Sequence, residues 1–143
     1  MAQKAVEAVD GVGVFGVEMF KLKDGTILYN EMAPRPHNSG HYTIEACVTS
    51  QFENHIHAVL GWALGETAMI APAAVMVNIL GNRLGDAHDD AVRQALTIPG
   101  AHVHIYSKRE VRPGRKMGHV TVLGDSVDHA ETLARRAVDL IDL

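Results

Sequence analysis

A chain of 143 residues has room for one ordinary domain or two small ones. Its 47% hydrophobic and 21% charged content is a globular balance, and a formal net charge of −4 excludes a nucleic-acid or membrane surface built on bulk positive charge. Cys47, the only cysteine, excludes an intrachain disulfide and a cysteine zinc cluster, and fits a reduced, cytoplasmic setting.

The opening "MAQKAVEAVDG" lacks the basic start and apolar core of a signal peptide. "AQKAVEAV" is predicted as an amphipathic helix that begins abruptly, as a cut chain would, and stops at "DGVG". "VFGVEMFKLK" and "TILYNEM" are predicted strands joined by a two-residue hairpin loop, Asp24-Gly25. Apolar spacing then predicts one helix from Thr43 to Leu60, with Thr43 as N-cap and Gly61 as stop. Residues near 61–72 form a connector. The apolar run from Met69 to Leu80 is too short to cross a bilayer and contains Pro72.

A second unit follows. "AAVMVNILG" is a predicted strand, and "DAHDDAVRQALTI" a short helix capped by Asp86. "HVHIYSK" and "MGHVTVLG" are predicted strands on either side of the loop "VRPGRK". "SVDHAETLARRAVDLI" closes the chain as an amphipathic helix capped by Ser126. There is no internal repeat and no low-complexity segment. The fold class is α+β in two parts.

Chemistry concentrates around the first hairpin. With a loop at Asp24-Gly25, cross-strand partners have numbers summing to 49, so Glu18 opposes Glu31 on one face, with Cβ atoms about 5 Å apart. Like charges so placed repel, and a cation between them removes the conflict. Oxygen-only ligands suit Mg²⁺ or Mn²⁺, which bind through one or two carboxylates plus substrate phosphates. The plain alternative is a solvated sheet face, and a register slip of one residue would break the pair. The following stretch, "YNEMAPRPHNSGH", adds a fixed-charge fork, Arg35, suited to carboxylate, bicarbonate or phosphate. Asn38, Ser39 and the amides near Gly40 could form an anion nest, or could simply satisfy their own backbone.

Other groups carry less. "SKREVRPGRK" is densely basic, but no aromatic residues alternate with its charges, so a nucleic-acid site is disfavoured and an exposed turn is the plain reading. His55 and His57 lie two apart on a predicted helix and face different ways. His102 and His104 share a strand face without an evident third metal ligand. Met19, Met32 and Met76 are expected as core fillers, and Cys47 as a small buried residue on a helix.

The run "GVFGVEMF…YNEMAPRPHNSGHYTIEACVTSQFENHIHAVLG", with the later "YSKREVRPGRKMGHV", resembles the ATP-grasp family, and within it the 5-(carboxyamino)imidazole ribonucleotide synthases. The resemblance covers essentially the whole chain. It implies the C-terminal half of an ATP-grasp domain over residues 1–63, a connector over 64–72, and a small mixed α/β C-terminal domain over 73–143. It also implies an enzyme of purine biosynthesis that uses ATP and bicarbonate to make carboxyphosphate and then carboxylates 5-aminoimidazole ribonucleotide. Glu18 and Glu31 match the family's magnesium glutamates, and Asn30 and Glu31 the dipeptide contacting the nucleotide phosphates. Arg35 falls where the acyl phosphate or bicarbonate is held, with His37, Asn38 and Ser39 lining that pocket. Lys108 and Arg115 match residues holding the ribonucleotide 5′-phosphate. The family is a cytoplasmic homodimer with further domains ahead of this region, so the chain is expected to be a C-terminal fragment without activity of its own. The alternative is a non-catalytic phosphate-binding or dimerisation module.

Overall fold

The structure is a computed structural model that describes residues 1–87 and 92–143. It divides into two compact units, Met1–Met69 and Ile70–Leu143. Unit 1 opens with helix α1 (Ala2–Glu7) and an antiparallel hairpin of β1 (Gly16–Lys21) and β2 (Ile27–Ala33). A 3-10 turn at Asn38–Gly40 leads into α2 (Thr43–Ala46) and α3 (Gln51–Val59).

The single helix expected over Thr43–Leu60 is therefore broken. Cys47 and Thr49 bound an extended segment whose backbone turns to residues 66–69: Val48 N–H donates to Ala68 C=O at 3.0 Å, and Thr49 N–H to Glu66 C=O at 2.9 Å. Ser50 then caps α3, accepting from Glu53 N–H at 3.2 Å. The sequence signal for this cap is "SQFE", a serine three residues ahead of a glutamate. Thr43 is not an N-cap; that position is Tyr42. The stop at Gly61 holds, with φ +68 just past the C-cap Leu60.

Unit 2 contains a three-stranded antiparallel sheet, ordered β3 (Ala73–Leu80), β7 (Lys116–Gly124), β5 (Ala101–Ile105), and a two-stranded pair, β4 (Gly85–Asp86) and β6 (Glu110–Val111). Helix α4 (Val127–Asp139), capped by Ser126, lays Ala130, Ala134 and Ala137 against the sheet. These small residues permit close approach. The core joins them to Ile79, Met117, Val120 and Val122, all nearly inaccessible to solvent. Asp86 lies in β4 and caps no helix, because its backbone pairs with Glu110. Part of the helix expected at Asp86–Ile98 falls on residues 88–91, outside the described residues; beyond them Ala95–Thr97 is a 3-10 turn.

Unit 1 is built differently. Its buried apolar residues are Ala46 and Cys47, while Thr49, Gln51 and Asn54 are buried polar groups. On the hairpin, Met19, Phe20, Leu28 and Tyr29 are exposed, so Met19 is not a core filler. Among the described residues no helix is long and apolar enough to cross a membrane.

Candidate functional site

The hairpin brings Glu18 opposite Glu31, by a route the sequence did not suggest. The loop is three residues, Lys23 to Gly25. Leu22 N–H donates to Thr26 C=O at 2.8 Å and Gly25 N–H to Leu22 C=O at 3.0 Å, with Gly25 at φ +88. Asp24 accepts from Thr26 N–H at 2.9 Å, which holds its carboxyl below the ordinary aspartate range. Pairs near the turn are Lys21–Ile27, Phe20–Leu28 and Met19–Tyr29, one residue out of the expected register. The register shifts between Glu18 and Met19, and the pairs beyond are Glu18–Glu31, Val17–Met32 and Gly16–Ala33. Asn30 is the extra residue of this bulge.

A bulge sets two residues against one and re-aims their side chains. Here Asn30 joins Glu31 across from Glu18, and its Nδ2 donates to Glu18 Oε2 at 3.3 Å. The other oxygen of Glu18 lies 3.5 Å from His37 Nε2. His37 Nδ1 is 2.8 Å from Ser39 Oγ and accepts from Ser39 N–H. Asn30, Glu18, His37 and Ser39 are thus linked in one polar chain. Asn38 shares the 3-10 turn with Ser39. Arg35 is exposed beside this chain in sequence, with Nη1 donating to Pro36 C=O at 3.0 Å; no contact joins it to the glutamates.

Two opposed carboxylates with neighbouring donors can hold a hard cation that keeps phosphate oxygens among its ligands. Among the described residues no cluster of three or more His, Cys, Asp or Glu could hold a metal ion. A Mg²⁺-type ion sharing its ligands with a nucleotide fits this donor set; a transition metal held by side chains alone does not.

In unit 2, Lys108 and Arg109 line a pocket of about 480 Å³ with Ile105, Ser107 and Leu143. Lys108 Nζ donates to Lys116 C=O and sits 5.6 Å over the Tyr106 ring. Arg115 does not line this pocket; its Nη1 donates to Glu110 C=O at 2.9 Å. The Arg112 guanidinium, 2.7 Å from Glu110, holds that carboxyl below its ordinary range. The basic loop is therefore partly ordered by its own backbone.

Several of the remaining histidines have structural partners. His55 Nδ1 accepts from Val14 N–H at 3.0 Å, and His57 lies against Trp62. His102 is exposed, while His104 stacks on His119 at 4.5 Å. Cys47 is buried, which raises its thiol pKa, but it sits in extended chain rather than in a helix. Sequence reasoning missed Gln51. It is buried and makes three hydrogen-bond contacts to the His37–His41 loop. Its place at the start of the "SQFE" cap was the available signal.

Two family models match the chain: the ATP-grasp domain over residues 1–52, and the phosphoribosylaminoimidazole carboxylase C-terminal domain over residues 74–133. The phosphoribosylaminoimidazole carboxylase of Schizosaccharomyces pombe is 50% identical over 147 aligned residues, covering 99% of this chain and 27% of that protein. The crystal structure of N5-carboxyaminoimidazole ribonucleotide synthetase from Thermotoga maritima superposes with TM-score 0.86 at 52% identity, covering 99% of this chain and 39% of that one. The Aspergillus clavatus N5-carboxyaminoimidazole synthase, solved with ADP and 5-aminoimidazole ribonucleotide, gives TM-score 0.85 at 47% identity over 97% of this chain and 38% of that one. The chain spans between about a quarter and a third of the length of these curated relatives.

Proposed function

The chain belongs to the N5-carboxyaminoimidazole ribonucleotide synthases of the ATP-grasp family, and from that premise we propose that it supplies part of the machinery that carboxylates 5-aminoimidazole ribonucleotide. In this reading ATP phosphorylates bicarbonate and leaves as ADP; the exocyclic amine of the ribonucleotide then takes the carboxyl group of the resulting carboxyphosphate, losing a proton as inorganic phosphate departs. The observation that carries the reading is the bulge that sets Asn30 and Glu31 against Glu18.

Each side chain then has a task. Glu18 and Glu31 hold Mg²⁺, and Asn30 and Glu31 face the nucleotide phosphates. The ion supplies neutralisation of phosphate charge during transfer. Arg35 offers its fork to the bicarbonate or acyl phosphate, where a preorganised cation stabilises developing charge. His37 keeps Glu18 oriented, and Asn38 and Ser39 complete the polar wall. Carboxyphosphate is labile in water, so the proline-braced loop also excludes solvent. Lys108 and, from the neighbouring turn, Arg115 hold the 5′-phosphate of the ribonucleotide.

The proposal includes a homodimer and a cytoplasmic setting, supported by family membership. It also includes inactivity of the 143-residue chain alone, since the relatives are several times longer. The test is bicarbonate-dependent ATP turnover. The isolated chain should show none, whereas Arg35→Ala in a complete synthase carrying this sequence should lower turnover at least about a hundredfold. Near-normal turnover in that variant would overturn the role of Arg35.

A further inference from the structure

The loop carrying His37, Asn38 and Ser39 is held by a residue the proposed chemistry does not use. Gln51, the first residue of α3, engages the backbone of His37 in both directions: Oε1 accepts from His37 N–H at 2.9 Å, and Nε2 donates to His37 C=O at 2.8 Å. The same Nε2 lies 2.9 Å from His41 Nδ1. The clamp is itself fixed, because Gln51 N–H donates to Thr43 Oγ1 at 3.0 Å and that hydroxyl donates to Gly40 C=O at 2.6 Å. A Cβ on Gly40 would sit 2.5 Å from Gln51 Oε1, so glycine permits the close approach.

The two contacts to His37 decide which end of the carboxamide is oxygen. The group facing His41 Nδ1 is therefore an N–H donor. His41 must present a lone pair there and carry its ring proton on Nε2. The same logic applies to His37, whose Nδ1 accepts from Ser39 N–H and whose Nε2–H consequently points towards Glu18.

We propose that Gln51 is a positioning residue that sets the backbone of His37 and the tautomer of His41. Through the first it aims His37 Nε2 at Glu18, and the value of that aim for catalysis rests on the ligase reading above. Only a carboxamide meets all three contacts. A carboxylate offers acceptors alone, and alanine offers neither donor nor acceptor.

The test is amide hydrogen exchange and imidazole ¹⁵N spectra of this chain above the pH of histidine titration, with Gln51→Ala and Gln51→Glu. In the native chain His41 should be the Nε2–H tautomer and the His37 amide protected. Gln51→Ala should speed His37 exchange about tenfold, the scale of one lost hydrogen bond, while amides in the middle of α3 change less. Gln51→Glu should keep His37 protected through its remaining oxygen but move the His41 proton to Nδ1, facing the carboxylate. Equal acceleration throughout α3 in both variants, or a His41 tautomer unchanged in Gln51→Glu, overturns the proposal. No substrate enters these measurements. Their failure would leave the ligase reading standing, and a failed ligase assay would leave the spectra as they are.

Discussion

The family resemblance pairs Lys108 with Arg115, but they take different places in the structure. Lys108 faces a pocket, whereas Arg115 spends a donor on the Glu110 carbonyl. Under the proposed function, Lys108 binds a phosphate that does not react, so its loss should impair capture of the ribonucleotide more than ATP use. In a complete synthase, Lys108→Ala should raise KM for 5-aminoimidazole ribonucleotide roughly ten- to a hundredfold, the equivalent of about 1.5–3 kcal/mol, with KM for ATP little changed. A solvated basic turn would leave both constants alone. Glu110 gives a second residue-scale expectation. Its folded pKa is lowered, chiefly by the hydrogen bond from Arg112, so the pairing stabilises the fold above the ordinary glutamate pKa and is lost as pH falls through the lowered value. Both groups are exposed, so that contribution is small. Side-chain carbonyl ¹³C titration should show Glu110 ionising below ordinary glutamates, and Arg112→Ala should return it to their range.

At the scale of elements, the sequence identified the strands of the hairpin and the closing helix, because alternation and amphipathic spacing are local signals. It also placed Glu18 opposite Glu31, but through a two-residue loop with uniform register. The observed three-residue loop shifts the register by one, and the bulge at Asn30 shifts it back. Two compensating departures of this kind leave no trace in polar–apolar alternation. The break within Thr43–Leu60 was hidden for another reason. Apolar spacing runs through it, while the deciding partners, Glu66 and Ala68, lie further along the chain. The cap at Ser50 was legible and outweighed by periodicity. Ser50→Ala should destabilise unit 1 by about 1 kcal/mol in denaturant titration. Equal stability of variant and native chain would remove the cap from the account of why α3 begins there.

For the whole molecule, the two units differ in how they bury apolar surface. Unit 2 packs α4 on a three-stranded sheet around a continuous core, whereas the hairpin of unit 1 is two strands with exposed apolar side chains. A lone two-stranded ribbon has marginal stability in water. Hydrogen exchange should therefore be slowest in β7 and fast in β1 and β2, and equal protection would contradict that difference. The same exposed ribbon carries Glu18, Asn30 and Glu31, so the proposed chemistry depends on a local feature of one hairpin. Its most direct measurement is the magnesium dependence of bicarbonate-driven ADP release by a complete synthase bearing Glu31→Gln. We expect turnover to fall at least about a hundredfold, with more Mg²⁺ needed for half-maximal rate. Turnover and magnesium requirement equal to those of the native enzyme would contradict the assignment of the opposed glutamates as the metal–phosphate site.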